Sequence, residues 1–165
     1  MYKTLLFDQL TPVALYGKIK EIFPYKITML FESVINTSDG NFSFITIGAK
    51  ERLVYKNKTT THTDENGEKH TLDTDPFSFL KTYYTSIDKK NYKEKAQELG
   101  FSFVDGFIGF IGYDMVKVFE PVLEESMGNL EDPLNTPDLD LVRPSIIMAY
   151  SHKSSKLASC LTMKA

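Results

Sequence analysis

The stretch from Ile27 to Gly48, "ITMLFESVINTSDGNFSFITIG", decides the fold. Two runs rich in β-branched and aromatic residues, Ile27 to Val34 and Phe42 to Gly48, flank "NTSDG", a cluster of turn formers. The pattern predicts a β-hairpin over roughly 27–48. One feature does not fit a plain buried strand: the first run carries Glu32-Ser33 where aliphatic residues belong. On a strand, Glu32 shares a face with Leu30 and Val34, and Ser33 shares the other with Phe31 and Ile35. Pattern alone leaves two readings. Glu32 lies in water on an edge strand, or it is partly buried and meets a cationic ligand group such as an ammonium. A buried carboxylate without a partner is costly, so the second reading demands that partner.

Upstream, Thr11-Pro12 reads as a helix N-cap with proline at the first helical position. Leu15, Ile19 and Ile22 continue as one apolar stripe, and Pro24 ends it. Downstream, strands are expected at 51–56 and 68–73. The polar "NKTTTHTDENGE" between them is expected to be a loop or exposed ribbon turning at Asn66-Gly67. Asp75-Pro76 caps a second helix whose inner stripe is Phe77, Leu80 and Tyr84, and a solvated helical stretch follows at about 90–99. Phe101 to Tyr113 reads as a strand pair or a long bent strand. Residues 120–140 are acidic, hold three of the seven prolines, and read as a surface loop or a poorly capped helix. "PSIIMAYSHKSSKLASCLTMK" reads as two strands joined at "HKSS". The pattern predicts a mixed α+β chain with mostly hairpin-type strand connections. Strands aromatic on both faces normally need more chain to cover them.

Composition bounds the rest. The 165 residues are 42% apolar and 13% aromatic, enough for a packed core, and make one domain or part of a larger one. A net charge of −3 gives no general attraction to nucleic acid or anionic membranes. The single cysteine, Cys160, forms no internal disulfide and fits a reducing, cytoplasmic setting. The N-terminal "MYKTLLFDQL" is too polar for a signal peptide, and no run approaches the ~20 apolar residues of a membrane span. His62, His70 and His152 are scattered, and no His/Cys/Asp spacing resembles a metal site. "DGFIGFIGYD" spaces Gly106, Gly109 and Gly112 by three, but Phe107, Ile108, Phe110 and Ile111 between them are wrong for a phosphate loop. Close approach of backbones explains those glycines better. The acidic residues Glu120, Glu124, Glu125, Glu131, Asp132, Asp138 and Asp140 lack the spacing of a calcium loop and read as a solvated face.

Taken in order, "PVALYGKI", "MLFESV", "GNFSFITIG", "DPFSFLK" and "GFIGFIGYDMVKVFE" resemble the N-terminal segment of the anthranilate synthase component I family, over about residues 10 to 152. The most specific pieces are "LFES", close to the family's Leu-Leu-Glu-Ser, and the glycine-spaced element. That element departs from the usual form, because Asp105 stands where a second glycine is common and Phe110 replaces a tyrosine. Aminodeoxychorismate synthase component I is the nearest alternative; Glu32 disfavours it, since that group more often lacks the glutamate. A non-catalytic interaction module is the alternative of another class.

The resemblance implies an L-tryptophan feedback site. In it Leu30, Glu32 and Ser33 would line the ligand, Glu32 would face the ammonium, and Phe42, Ser43 and Phe44 would flank the indole, with Lys50 as a further contact. The same resemblance implies antiparallel sheets packed in a sandwich-like arrangement with flanking helices, incomplete without a C-terminal half, so that exposed edges would favour dimer formation or strand exchange. It also implies that chorismate and Mg2+ are held by that C-terminal half, absent from this chain. No catalytic residue and no metal or cofactor of its own are therefore expected here. The implied partners are the glutamine amidotransferase subunit, L-tryptophan, the C-terminal half of the same enzyme and a second copy of the chain, with no nucleic acid and no membrane.

Overall fold

The computed structural model describes residues 2–32, 42–101, 103–120, 122–123 and 133–162. They form two compact units, each assembled from separated pieces of chain. The first takes residues 1–49, 88–106 and 144–165; the second takes 50–87 and 107–143.

The first unit is built on a five-stranded antiparallel sheet of order β1-β10-β9-β3-β2. Its strands are β1 (Tyr2–Leu6), β2 (Thr28–Phe31), β3 (Phe42–Ile47), β9 (Ile146–Ser151) and β10 (Lys156–Leu161). The expected hairpin is present, with β2 and β3 antiparallel and Leu30 opposite Ile45; its turn lies outside the described residues. Helix α1 (Pro12–Ile22) starts where Thr11 accepts a hydrogen bond from the Ala14 amide. It packs Leu15 and buried Ile19 onto Leu30, Ile45, Ile47, Ile146 and Met148, one face of the sheet. The opposite face carries Ile147, Ala149, Ala158 and Cys160. Against these pack Phe101, Val104 and Leu99, the last at the end of helix α3 (Lys89–Leu99). Helix α3 ends in the left-handed region at Gly100, where φ is 76° and only glycine is free of Cβ strain.

The second unit holds a second five-stranded antiparallel sheet, β6-β5-β4-β8-β7. The strands are β4 (Glu51–Lys56), β5 (Thr59–Thr63), β6 (Lys69–Leu72), β7 (Ile108–Ile111) and β8 (Leu139–Arg143). Helix α2 (Pro76–Ser86) is capped by Asp75, whose side chain accepts from the amides of Phe77 and Ser78. Phe77, Phe79 and Leu80 of α2 join Phe107, Met115 and Val118 over Leu53, Leu139 and Leu141 of the sheet. Val118 belongs to the short helix α4 (Val116–Phe119).

Several expectations need adjusting. The ribbon between the strands at 51–56 and 68–73 is a strand, β5. Its tight turn to β4 is Asn57-Lys58, with both residues at positive φ, 49° and 61°. Among its described residues, Phe101 to Tyr113 yields one short strand, β7, because the chain passes from the first unit to the second between Gly106 and Phe107. The stretch 120–140, expected to be a surface loop or a poorly capped helix, ends inside β8: Leu139 is fully buried, while Asp140 turns outward to Arg52. Strand β1 was not expected, since its pairing depends on β10. The glycine reading holds. A Cβ on Gly109 would stand 2.1 Å from the Asp140 carbonyl oxygen and one on Gly112 2.9 Å from that of Asp138.

Candidate functional site

The residues singled out around Glu32 gather at one end of the β2–β3 pair. Leu30 is half-buried and faces α1. Glu32 follows the last residue of β2 and is exposed; Ser33 lies outside the described residues. Ser43, almost fully buried, has its Oγ 2.8 Å from His152 Nε2. The His152 ring stands edge-on to Tyr150, the residue opposite Ser43 on β9, with centroids 5.0 Å apart.

Phe42 and Phe44 alternate with Ser43 and therefore face the other side of the sheet. Their rings are 6.2 Å apart. Phe101 stands 6.4 Å from Phe42 and 6.0 Å from Phe44, and Phe103 stands 5.9 Å from Phe44. The structure thus groups Leu30 and Ser43 on one face and Phe42 and Phe44 on the other. Lys50 belongs to the second unit, where its Nζ is 2.7 Å from Glu65 Oε1.

The second unit contains a polar cluster that the sequence did not disclose. Glu51 is 4% exposed, yet its carboxylate receives three donors. Arg143 and the Tyr83 hydroxyl approach Oε1 at 2.6 and 2.9 Å, and His62 Nε2 lies 2.8 Å from Oε2. Arg143 also reaches Glu65 at 3.0 Å, and its guanidinium lies 6.0 Å from the centre of the Tyr83 ring. Register places these groups together: Glu51 pairs with Arg143 across β4–β8, and His62 pairs with His70 across β5–β6. The only sequence signal was a charge at an inward position of each strand, since 92 positions separate Glu51 from Arg143. Each charge answers an opposite one, which is how a buried ion cluster avoids an uncompensated charge.

Cys160 is buried, and burial pushes its thiol above the ordinary range, the character of a packing residue and not of a nucleophile. No helix among the described residues is long and apolar enough to cross a membrane.

No family model matches the chain. Individual proteins do. Anthranilate synthase component 1 of Aquifex aeolicus is 30% identical over 159 residues, covering 95% of this chain and 30% of that protein. The Thermus thermophilus protein of the same name is 30% identical over 158 residues, and that of Bacillus subtilis 28% over 169. The chain spans about 30% of the length of these curated relatives. In fold it is similar to anthranilate synthase component I of Streptococcus pneumoniae, with a TM-score of 0.55 at 23% identity over 98% of this chain and 31% of that one. Sequence and fold together relate nearly the whole of this chain to the N-terminal segment of anthranilate synthase component I.

Proposed function

We propose that the chain is the regulatory N-terminal part of an anthranilate synthase, a lyase of tryptophan biosynthesis in the cytoplasm. In the whole enzyme, chorismate and ammonia drawn from glutamine yield anthranilate and pyruvate. This part contributes the L-tryptophan feedback site and contacts to the glutamine amidotransferase subunit, and the chemistry and its Mg2+ belong to a C-terminal half. One observation carries the reading: about 95% of the chain matches several proteins that share this one name.

Glu32 is exposed just past the end of β2, so the pairing assigned to it is with an ammonium that arrives from solvent and not with one buried under the strand. Leu30 and Ser43 lie on one face of the pair and Phe42 and Phe44 on the other, so a ligand touching both sets sits over the strand ends next to Glu32, where Ser33 follows in sequence. A few polar groups then fix orientation while the apolar residues supply contact area. Feedback operates if tryptophan binds one arrangement of the whole enzyme better than another.

Titration of L-tryptophan into the chain by calorimetry, with D-tryptophan as control, tests the site. Saturable, stereoselective binding is expected, and Glu32→Ala weakens it by ~1–3 kcal/mol, the usual loss for a charge-assisted contact. Equal affinity in the variant returns Glu32 to solvent. The chain alone is expected to form no anthranilate from chorismate with either glutamine or ammonia; turnover above an enzyme-free control refutes the division of labour.

A further inference from the structure

His152 lies one residue past the end of β9 and is exposed, yet its ring is held on two sides. Its Nε2 stands 2.8 Å from Ser43 Oγ, and the ring is edge-on to Tyr150 with centroids 5.0 Å apart. Ser43 is 1% exposed, so a ligand arriving from solvent meets the imidazole and not the hydroxyl. Strands β2 and β9 flank β3, both antiparallel to it, and finish at the same end of the sheet: Phe31 pairs with Phe44, and Ser151 with Phe42. Continued by one step, the β2–β3 register sets Glu32 opposite Ser43, and residues directly opposite share a face. Glu32 and His152, both exposed, therefore stand on either side of Ser43. Their backbones are two strand spacings apart, roughly 10 Å, and each side chain reaches about half of that.

The same hydrogen bond fixes which nitrogen of neutral His152 carries the proton. Among the described residues, the Ser43 hydroxyl and the imidazole have no hydrogen-bond partner but each other. If Nε2 donated, the hydrogen of a buried hydroxyl would be left without an acceptor, which is costly. If Ser43 donates, both groups are satisfied and the proton sits on Nδ1. Nδ1–H then faces away from Ser43, ready to donate. Glu32 likewise has no hydrogen bond or ion pair among the described residues. A carboxylate and an N–H donor placed this way match the two charged ends of an α-amino acid. We propose that His152 is a ligand-site residue that donates to the carboxylate of the bound amino acid while Glu32 takes its ammonium, and that Ser43 is a positioning residue that holds the ring and its tautomer. The inference rests on the tryptophan reading and names the end of the ligand that each side chain takes. Ser43 serves through His152 and not by touching the indole.

Calorimetric titrations with L-tryptophan, with tryptamine, which lacks the carboxylate, and with indole-3-propionate, which lacks the ammonium, separate the two ends. His152→Ala should weaken L-tryptophan and indole-3-propionate about 10-fold and leave tryptamine unchanged, the size expected of a hydrogen bond to a charged group. Glu32→Ala should weaken L-tryptophan and tryptamine and spare indole-3-propionate. Ser43→Ala should move the His152 proton to Nε2, read from its 15N NMR shifts at about pH 8, and weaken L-tryptophan. Ser43→Thr, which keeps the hydroxyl, should restore both. If Ser43→Ala fails to fold, His152→Ala decides, because that side chain is exposed. A wild-type chain that binds none of the three compounds refutes the tryptophan reading and this inference with it. Tryptophan binding that His152→Ala leaves intact, or weakens no more than tryptamine binding, overturns the role of His152 alone. An unchanged tautomer in Ser43→Ala overturns the positioning role.

Discussion

Thr46 sits in the middle of β3, between Met29 on β2 and Ile147 on β9, fully buried, and its hydroxyl has no hydrogen-bond partner among the described residues. A buried hydroxyl without a partner costs about 1–3 kcal/mol, and valine has nearly the same shape. Thr46→Val should therefore stabilise the first unit by roughly 1 kcal/mol, read as a higher denaturant midpoint at unchanged slope. A lower midpoint would mean that the hydroxyl is satisfied by water or by a ligand. At this scale the sequence showed which residues were odd but not what they touch. Glu32 stood out as a charge in an apolar run, and the structure finds it exposed at a strand end. Ser43 and His152 gave no sign of meeting, because 109 positions separate them.

Among the elements, the glycine of β7 and the cap of α2 make the clearest predictions. A Cβ at Gly109 collides with the backbone of Asp140, which cannot move without shifting β8. Gly109→Ala should cost ~1–3 kcal/mol and loosen β7, seen as faster amide exchange at 108–111 than in β4. Unchanged exchange there would refute the close packing. At the cap, the Ser78 hydroxyl is the main influence, working against desolvation. Together with the amides of Ser78 and Phe77, it holds the Asp75 carboxyl below its ordinary value. A carboxyl depressed in the folded state contributes stability that is complete above its unfolded value of about 3.9 and fades as pH falls through the folded one. Asp75→Ala should cost ~1 kcal/mol at pH 7, and melting curves of the two proteins should converge as the pH drops below about 4. Curves that stay parallel would assign the effect to something other than the charge.

Elements with local signals were legible. Pro12 and Pro76 behind their caps began helices α1 and α2 as expected. Elements defined by a distant partner were not. Asn57-Lys58 lacks the usual Asn-Gly of a two-residue hairpin turn, and β8 hides its inward Leu139 and Leu141 in an acidic, proline-rich stretch.

For the molecule as a whole, stability should depend on the ion cluster of the second unit. Arg143→Met leaves Glu51 buried without its guanidinium, a loss of ~3–5 kcal/mol by denaturant unfolding. Adding Glu51→Gln should recover part of it; a single variant as stable as the wild type would show the charges to be dispensable. The mixed α+β class with hairpin-linked strands was readable from the apolar patterns and turn signals, whereas the two-sheet arrangement came only from the family resemblance. The division into units was not, because each unit is stitched from pieces that lie far apart in sequence.

That stitching also orders events during synthesis. The second unit is complete once Arg143 has left the ribosome, whereas the first still waits for β9 and β10. Among the described residues, strand β1 pairs with β10 alone, with Tyr2 opposite Cys160. The residues of β1 must therefore wait unpaired until β10 has been translated, and of the two sheets the one that ends beside Glu32 closes second.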